Sequence, residues 1–465
     1  MKTYAIYGPP GTGKTRTLVG ICEKHAAHGP VWFLSFTKAA AQEAASRIGS
    51  SMVRASTLHS LAFQELEISP GSVVDRRKMT IFSRQIGVPI SGADDNTLDE
   101  QLEGDEYLST ISYAKNVERD VMEVYDERGR PGTVARFEMF AKAYESWKST
   151  FGFIDFDDML IRYADSNLEY SHRVVLLDEA QDCSHLQWRA LRNVIRYSQH
   201  VYVAGDDDQA IFEWSGADPH GMARFADDTK AVQRVLHQSY RVPSMVHSFV
   251  HDSILSKMEE RVEKQFAPTT HEGDIQFAGS VYEMNWHQIE GRDVMILVRD
   301  RFRGLEVQRM LNADMIPYKI NGGASPFESR SANAIRCIVK SNRGEPVNKR
   351  ELDSLSYVLN NPAIKKGDLS PVLGKQWQDV MQLAPENMEF YEHADLEAPL
   401  TVTLSTVHQA KGREAQDVII NIEAPDRVLN TLLDGKGQDA ERRVLYVAFT
   451  RTKNSVTVCG ENPLI

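Results

Sequence analysis

The sequence has few cysteines and no long apolar run. Its four cysteines, Cys22, Cys183, Cys337 and Cys459, lie far apart and form no CxxC pair. This spacing excludes a disulfide framework or a cysteine-built metal site and favours reduced thiols. The longest apolar runs have strand length, so none can span a bilayer as a helix. A Gly-Pro turn follows Tyr7 before any signal-peptide core can develop. We therefore expect a cytoplasmic protein.

Basic residues are also in deficit. The 465 residues include 53 Lys and Arg against 65 Asp and Glu, which gives a formal net charge of −12. Taken alone, this acidic balance argues mildly against nucleic acid as a partner. The hydrophobic content of 42% is that of a globular protein and excludes a disordered or fibrous chain. The length is too great for a single core and suits two to four domains.

Short apolar runs alternate with helical stretches, and no internal repeat or low-complexity tract interrupts them. Runs rich in Val and Ile that end in Gly, Asp or Thr are typical of buried parallel strands in α/β proteins. They fall into two groups, before and after about residue 236, which predicts two α/β domains. The runs are Tyr4–Tyr7, Val31–Phe36, Val174–Leu177, Val201–Ala204, Val294–Val298, Thr401–Leu404, Val418–Ile422 and Val456–Cys459.

Two stretches lack this strand rhythm and predict a mainly helical insertion in each domain. The first insertion covers residues 64–155 and the second, reduced one covers 323–398. The first domain is then made of 1–63 and 156–236, and the second of 237–322 and 399–465. Within the first insertion, Asp94–Glu106 contains seven acidic residues and no basic one. We expect a solvated surface loop there, without direct contact to an anionic ligand.

A phosphate-binding motif lies at the start of the chain. Residues Gly8–Thr15 match GxxxxGK[ST], after a predicted strand and before a helix predicted to begin near Lys14. Its glycines, Gly11 and Gly13 among them, let backbone amides wrap the phosphates. Lys14 reaches the β- and γ-oxygens, and Thr15 can bind Mg²⁺. The alternative, a glycine-rich turn that matches by accident, does not explain the strand–loop–helix context. The motif predicts a nucleotide site.

An acidic pair supplies the second half of such a site. Asp178 and Glu179 directly follow the buried run Val174–Leu177. Asp178 would hold Mg²⁺ through water, and Glu179 would orient and deprotonate the attacking water. The pair is a weak signal alone and a strong one beside the phosphate-binding motif. A kinase for a small metabolite would not need the adjacent glutamate, so Glu179 favours hydrolysis.

From this acidic pair onward, the chain resembles the UvrD/Rep-type superfamily 1A DNA helicases. The resemblance recurs in order along almost the whole length, and this ordered combination is highly specific. It implies two RecA-like P-loop domains with parallel sheets. The similar segments are Phe33–Ala41 (motif Ia), Ser56–Ser60 (the next DNA-contacting motif), Asp155–Leu160, Asp178–Asp182 (motif II), Val203–Ala217 (motif III), Gln238–Arg241 (motif IV), Val407–Glu414 (motif V) and Glu441–Arg451 (motif VI).

The resemblance implies an ATP site between the two domains. Gln209 would sense the γ-phosphate and the attacking water, while Arg241 and Arg451 would act as arginine fingers from the second domain. A surface salt bridge is the alternative for each arginine. Adenine would lie between the Tyr240 ring and the Arg16 guanidinium, although Tyr240 could also be a core residue. Glu414 would reach the ribose.

The resemblance also implies that single-stranded DNA crosses the top of both domains, where aromatic side chains stack on bases. Trp214 is the strongest candidate, and Phe212 and Phe36 could equally be core residues. A further set would contact phosphates or couple DNA to the ATP site: Thr37, His59, Thr406 and His408. Neither histidine has a companion ligand at metal-binding spacing.

These features predict an ATP-dependent single-stranded DNA translocase and helicase that uses Mg²⁺, and the resemblance implies movement in the 3′→5′ direction. We expect a monomer that binds single strands and single/double-strand junctions. From the position of the first strand, we expect no glutamine segment of the kind that reads adenine in the family. We likewise expect no further domain after the last strand. Two alternatives stay open: a translocase that strips proteins but unwinds poorly, and a recruitment module switched by ATP.

Overall fold

The computed structural model describes residues 1–36, 38–48, 50–92, 102–129, 132–170, 172–433 and 435–465. Its strands form two six-stranded sheets. The first contains β1 (Lys2–Tyr7), β2 (Val31–Ser35), β3 (Val53–Thr57), β4 (Val174–Asp178), β5 (His200–Gly205) and β6 (Val232–Val235). The second contains β7 (Asp274–Ala278), β8 (Val294–Val298), β9 (Tyr318–Ile320), β10 (Val402–Thr406), β11 (Ala415–Asn421) and β12 (Thr452–Cys459).

Helices connect and cover these strands. Those of the described residues are α1 (Lys14–Ala26), α2 (Lys38–Ile48), α3 (Leu58–Glu65), α4 (Arg76–Ile86), α5 (Glu103–Val117), α6 (Val121–Arg128), α7 (Val134–Phe151), α8 (Phe156–Ala164), α9 (His185–Ile195), α10 (Gly221–Thr229), α11 (Ser244–Ser253), α12 (Arg301–Ala313), α13 (Arg330–Arg343), α14 (Lys349–Val358), α15 (Pro362–Lys365), α16 (Trp377–Val380), α17 (Pro385–His393), α18 (Asp426–Leu433) and α19 (Gln438–Phe449). None of them is both long and apolar enough to cross a membrane.

Both sheets are parallel throughout. The first has the strand order β3-β2-β4-β5-β1-β6 and the second has β7-β12-β11-β8-β10-β9. Every residue of β4 and β8 is buried, as expected for strands covered on both faces. The predicted α/β class with two parallel-sheet units is confirmed. Because parallel strands share a direction, their carboxyl ends meet at one edge of each sheet, where ligands bind in such folds.

The two predicted insertions are helical. Residues 102–155 contribute α5–α7, which pack with α4 around an aromatic core that includes Phe82, Tyr107 and Phe140. Residues 323–398 contribute α13–α17. The exact domain boundaries remain a prediction.

The acidic segment Asp94–Glu106 is not simply a solvated loop, as the sequence suggested. Residues 93–101 lie outside the described residues, but Glu103 begins α5 and Asp105 is buried. The Asp105 carboxylate accepts hydrogen bonds from the backbone amides of Gly92 (2.7 Å) and Leu102 (2.9 Å). A carboxylate in the first turn of a helix is favoured by the helix dipole and by these otherwise unpaired amides. The segment therefore contains a helix start, which the charge count concealed.

Candidate nucleotide and nucleic-acid sites

The phosphate-binding motif joins β1 to α1. Gly11 and Gly13 have φ angles of +73° and +79°, in the left-handed region that glycine adopts most easily. Gly13 directly precedes α1, and no side chain caps this helix. The first amides of α1 are thus available to an anion, as in other phosphate-binding helix N-termini. Lys14 donates to the carbonyl oxygen of Gly8 at 2.7 Å, so the ammonium group folds back over the loop.

The acidic pair faces this loop at the carboxyl end of β4. Thr15 Oγ1 donates to Asp178 Oδ2 at 2.6 Å, which brings two hard oxygen ligands together. This pairing fits Mg²⁺, which prefers oxygen ligands. Burial, with the neighbouring Glu179 charge, raises the pKa of Asp178 to about 6. Burial also opposes ionisation of Glu179, but the charges of Lys14 and Lys411 outweigh it and lower its pKa to about 2. Glu179 is therefore ionised at neutral pH, as a general base must be.

A different acidic group, outside the predicted site, is already neutralised. Carboxylates of Glu145, Asp155 and Asp158 approach one another closely enough to hold a metal ion. However, Lys148 lies 2.6 Å from Asp155 and Lys115 lies 2.7 Å from Asp158. Two ammonium groups thus occupy the position that a cation would take. This cluster ties α5 and α7 to the start of α8 and is a structural feature.

A continuous hydrogen-bonded chain runs from Glu179 to Arg451. Gln181 donates to Glu179 Oε2 at 2.6 Å, and its own Oε1 accepts from the Asp206 amide at 2.9 Å. Asp206 Oδ2 accepts from Gln209 Nε2 at 2.6 Å. Gln209 Oε1 in turn accepts from Arg451 at 3.0 Å. The expected base, γ-phosphate sensor and one arginine finger are thereby linked through the Gln181 and Asp206 side chains and the Asp206 backbone amide.

The two predicted arginine fingers differ in environment. Arg451 is only 1% exposed, so the surface salt bridge considered for it does not apply. Burial and the nearby Arg241 charge lower the pKa of Arg451 to about 9, which still leaves it charged at pH 7. Arg241 does form a salt bridge, with Glu414 at 2.6 Å. Glu414 also pairs with Lys453 at 2.6 Å, so its carboxylate binds two cations where the resemblance placed it on a ribose.

A cavity of about 600 Å³ opens beside the phosphate-binding motif. Arg16 and Tyr240, the predicted partners of adenine, both line it. Tyr240 is 76% exposed, which excludes the alternative that it is a core residue. The backbone around Tyr240 rests on the motif itself: the Tyr240 amide donates to the Gly11 carbonyl at 2.9 Å, and Ser239 Oγ donates to the Pro10 carbonyl at 2.8 Å. Other lining residues are Thr12, Gly13, Thr17, Gly20, Ile21, Lys24, Leu236, His237 and Gln238.

Four of the seven residues predicted to contact DNA form one aromatic cluster. Phe36 stacks on Phe212 with ring centroids 5.6 Å apart and planes at 24°. His408 lies 6.1 Å from Phe212 and 6.3 Å from Trp214. Phe36, Phe212 and Trp214 are partly exposed, whereas His408 is buried and its pKa is lowered well below the ordinary value by desolvation. We call Phe36, Phe212, Trp214 and His408 the aromatic cluster.

The remaining predicted DNA residues lie elsewhere. Thr406 is 1% exposed and His408 is buried, so neither can reach a phosphate as placed. His59 packs edge-on against Phe156, with ring centroids 5.9 Å apart, and both line a separate cavity of about 1350 Å³. Phe156 is 58% exposed and was not singled out from the sequence. Thr37 lies outside the described residues.

Sequence reasoning missed two lysines that connect these sites. Lys411 Nζ lies 2.7 Å from Asp182 Oδ2, donates to the Gln209 carbonyl at 2.5 Å and lies 5.2 Å from the Phe212 ring centre. Lys264 is buried among three consecutive carboxylates, at 3.3 Å from Asp206, 2.5 Å from Asp207 and 3.0 Å from Asp208. Lys411 stands inside a quoted motif, so its presence was visible. Lys264 stands outside every quoted motif and gave no signal.

Comparison with known proteins places the chain in a family. Residues 1–230 match the model of the UvrD/REP helicase N-terminal domain, and residues 376–460 match that of the UvrD-like helicase C-terminal domain. Together these matches cover more than half of the chain. A solved helicase structure, Arterivirus nonstructural protein 10, aligns over 100% of this chain and 61% of its own, but its TM-score of 0.37 and 11% identity are too low to support an argument.

Curated relatives agree with the family models. DNA helicase II of Haemophilus influenzae is 23% identical over 83% of this chain and 59% of its own length. The ATP-dependent DNA helicase UvrD2 of Mycobacterium tuberculosis is 25% identical over 95% of this chain and 74% of its own. For PcrA of Bacillus subtilis the figures are 23%, 70% and 49%. The chain thus spans 59% and 52% of the first two relatives it matches, DNA helicase II and the Rep helicase of Salmonella typhimurium. With its two parallel sheets and the matched segments in order, the chain belongs to the UvrD/Rep-type helicase family.

Proposed function

We propose that this protein is an ATP-dependent DNA helicase that translocates 3′→5′ along single-stranded DNA. The observation that carries the proposal is the hydrogen-bonded chain from Glu179 to Arg451. It joins a candidate base at the carboxyl end of β4, in the first sheet, to a candidate arginine finger that precedes β12, in the second. A site assembled from two bodies is complete only when they close on each other, which is the requirement for coupling hydrolysis to motion. The polarity comes from the family resemblance.

Hydrolysis would use groups already positioned. The amides of Gly11–Thr15 and the Lys14 ammonium would hold the phosphates, and Glu179 would accept a proton from the attacking water. Gln209, fixed at one end by Asp206 and at the other by Arg451, would orient that water. Thr15 and Asp178 would hold Mg²⁺, which when bound neutralises charge on the phosphate oxygens. Arg241 would leave Glu414 to reach the phosphates.

DNA would bind to the aromatic cluster by stacking of its bases on the rings. Stacking on aromatic faces contributes about 1–3 kcal/mol per base and tolerates any sequence, which suits a translocating motor. The Lys411 ammonium contacts both Asp182 and Gln209 and lies near the Phe212 ring, so a single side chain joins the aromatic cluster to these two residues. A shift of the Phe212 ring on DNA binding would therefore move Lys411 and, through it, Gln209, the expected γ-phosphate sensor. The net charge of −12 is compatible with this role, because a motor needs only a local basic and aromatic path.

The decisive experiment has two stages. Steady-state ATP hydrolysis is measured with and without single-stranded DNA, and then unwinding is compared on 3′-tailed, 5′-tailed and blunt duplexes. We expect DNA-stimulated hydrolysis and unwinding of the 3′-tailed duplex alone. Negligible turnover with DNA and Mg²⁺ would reject the motor, and unwinding of the 5′-tailed duplex alone would reject the polarity.

A second candidate is a translocase that displaces proteins but separates duplexes poorly. The observation that favours it is the second insertion, residues 323–398, which contributes α13–α17 and is shorter than the first insertion, residues 64–155. Displacement of streptavidin from a biotinylated single strand, without unwinding of any tailed duplex, would select this candidate. A recruitment module that uses ATP only as a switch would not need Glu179, Gln209 and Arg451 in one connected chain.

A further inference from the structure

Gln238 has an amide whose orientation is fixed by the backbone around it. Its Nε2 donates to two carbonyl oxygens, those of Ser239 and Pro268, each at 2.8 Å. Carbonyl oxygens only accept hydrogen bonds, so the NH₂ end of the amide must face them and both of its hydrogens are used. Among the described residues, Oε1 of Gln238 has no hydrogen-bond partner. The side chain thus presents an acceptor and no donor.

This acceptor stands at the cavity that the adenine partners line. Gln238 pairs with Ala267 in an isolated parallel bridge, so the chain is extended at this point. In extended backbone the side chains of residues i and i+2 share a side. Gln238 and Tyr240 accordingly both line the 600 Å³ cavity with Arg16, while Ser239 between them turns its hydroxyl to the Pro10 carbonyl. The fixed acceptor is two residues from the ring expected to stack on the base.

We propose that Gln238 is a specificity-determining residue that reads the nucleobase by accepting a hydrogen bond from the 6-amino group of adenine. Guanine carries an oxygen acceptor at this position, which would face the Oε1 acceptor without a hydrogen between them. The inference rests on the proposed function, because it assumes that the nucleotide places its base in this cavity. Lys24, also at the cavity, can only donate and would favour guanine.

The test compares two ligands that differ only in the 6-amino group. Binding of ADP and of purine riboside diphosphate, which has hydrogen at this position, is measured by calorimetry on the full chain with Mg²⁺. One neutral hydrogen bond gives about a three- to tenfold preference for ADP. In Gln238→Ala that preference should fall to about one, with ADP binding weakened and purine riboside diphosphate binding nearly unchanged. Gln276→Ala is the matched control, since this exposed amide donates to Asp274 at 2.7 Å on strand β7 and does not line the cavity.

The possible outcomes distinguish failure of this inference from failure of the proposed function on which it rests. Equal weakening of both ligands in Gln238→Ala indicates a structural role and overturns the inference. Equal affinity of the wild-type protein for both ligands overturns it without any variant, and so does tighter binding of GDP than ADP, which would point to Lys24. In these cases DNA-stimulated hydrolysis would persist and the proposed function would stand. Absence of both ADP binding and ATP turnover would instead reject the proposed function itself.

Discussion

The guanidinium of Arg451 donates a hydrogen bond to Oε1 of Gln209, although 242 positions separate the two residues in the chain. Gln209 follows β5 of the first sheet, and Arg451 precedes β12 of the second. The side chain expected to sense the γ-phosphate is therefore held by the side chain expected to stabilise its transition state. Because the two residues share one contact, removing either side chain should impair the role of both in ATP hydrolysis.

Arg451→Ala should lower kcat for DNA-stimulated ATP hydrolysis by about a thousandfold, the scale known for arginine fingers. Gln209→Ala should lower it by a similar order because it removes the other end of the same contact. The double variant should be little worse than either single one, since groups that act as a unit are strongly non-additive. Exposed Arg309→Ala is the matched control and should leave kcat unchanged. Fully additive losses would mean that the two residues act independently.

Lys14→Ala should abolish ATP hydrolysis while leaving the fold intact. Among the described residues, the Lys14 ammonium donates one hydrogen bond, to the Gly8 carbonyl, so few hydrogen bonds are lost with it. Turnover and the circular dichroism melting curve are measured together, with exposed Lys142→Ala as the control. Retained turnover would contradict the phosphate-site assignment.

Trp214→Ala should weaken DNA-stimulated hydrolysis more than basal hydrolysis. Loss of one stacking contact, worth about 1–3 kcal/mol, should raise the DNA concentration for half-stimulation by about 5- to 160-fold. Phe302→Ala removes an aromatic side chain that is 66% exposed on α12, outside the aromatic cluster, and should change neither rate. An equal loss of basal and stimulated turnover in Trp214→Ala would count against a stacking role.

Lys264→Met should destabilise the protein by about 3–5 kcal/mol, because it leaves Asp206, Asp207 and Asp208 as buried carboxylates with one cation removed. Urea unfolding measures the loss. Because Asp206 also holds Gln209, kcat should fall even at temperatures where the variant is folded. Lys264→Arg should restore part of the stability. A variant as stable as the wild type would show that the three acids are neutralised in another way.

Asp157→Asn should stabilise the protein at neutral pH and not at low pH. Burial and the neighbouring Asp155 charge raise the pKa of Asp157 to about 6, from an ordinary value of 3.8. The folded protein therefore keeps a proton that the unfolded chain releases between about pH 4 and 6, so this group lowers stability as pH rises through that window. The asparagine avoids this loss and should gain about 3 kcal/mol above pH 6.

Urea unfolding of Asp157→Asn from pH 4.5 to 8 checks this, with exposed Asp126→Asn as the control. The hydrogen bond from Asn116 to Asp157, at 2.7 Å, can be kept by the amide oxygen of the new asparagine. A stability difference that does not change with pH would mean that Asp157 ionises normally in the folded state.

The strands that could be predicted from sequence are the interior ones. All eight predicted runs are strands, and the four missed strands, β3, β6, β7 and β9, are the two edges of each sheet. An edge strand is covered on fewer sides, so it needs no continuous apolar run. β6 reads Val-Gln-Arg-Val and is mostly exposed, and β7 exposes Gln276 and Phe277. A search for buried apolar runs therefore misses edge strands, because their exposed side chains can be polar.

The residues of the candidate site also fall into two groups, those that could be predicted from the sequence and those that could not. Lys14, Thr15, Asp178 and Glu179 were visible because local spacing fixes their chemistry around a strand end. The partners of Arg241 and the role of Lys264 were not visible, because they depend on contacts between segments that are distant in sequence. Burial also decided what the motifs left open, since it excluded Tyr240 as a core residue and His408 as a phosphate ligand in this structure.

The Lys411 ammonium contacts Asp182 and the Gln209 carbonyl on one side and lies near the Phe212 ring on the other. If nucleotide changes the affinity of the aromatic cluster for DNA through this lysine, thermodynamic reciprocity requires DNA to change nucleotide affinity by the same factor. A substitution at Lys411 that weakens this contact would therefore reduce the effect of nucleotide on DNA affinity and the effect of DNA on nucleotide affinity by the same factor.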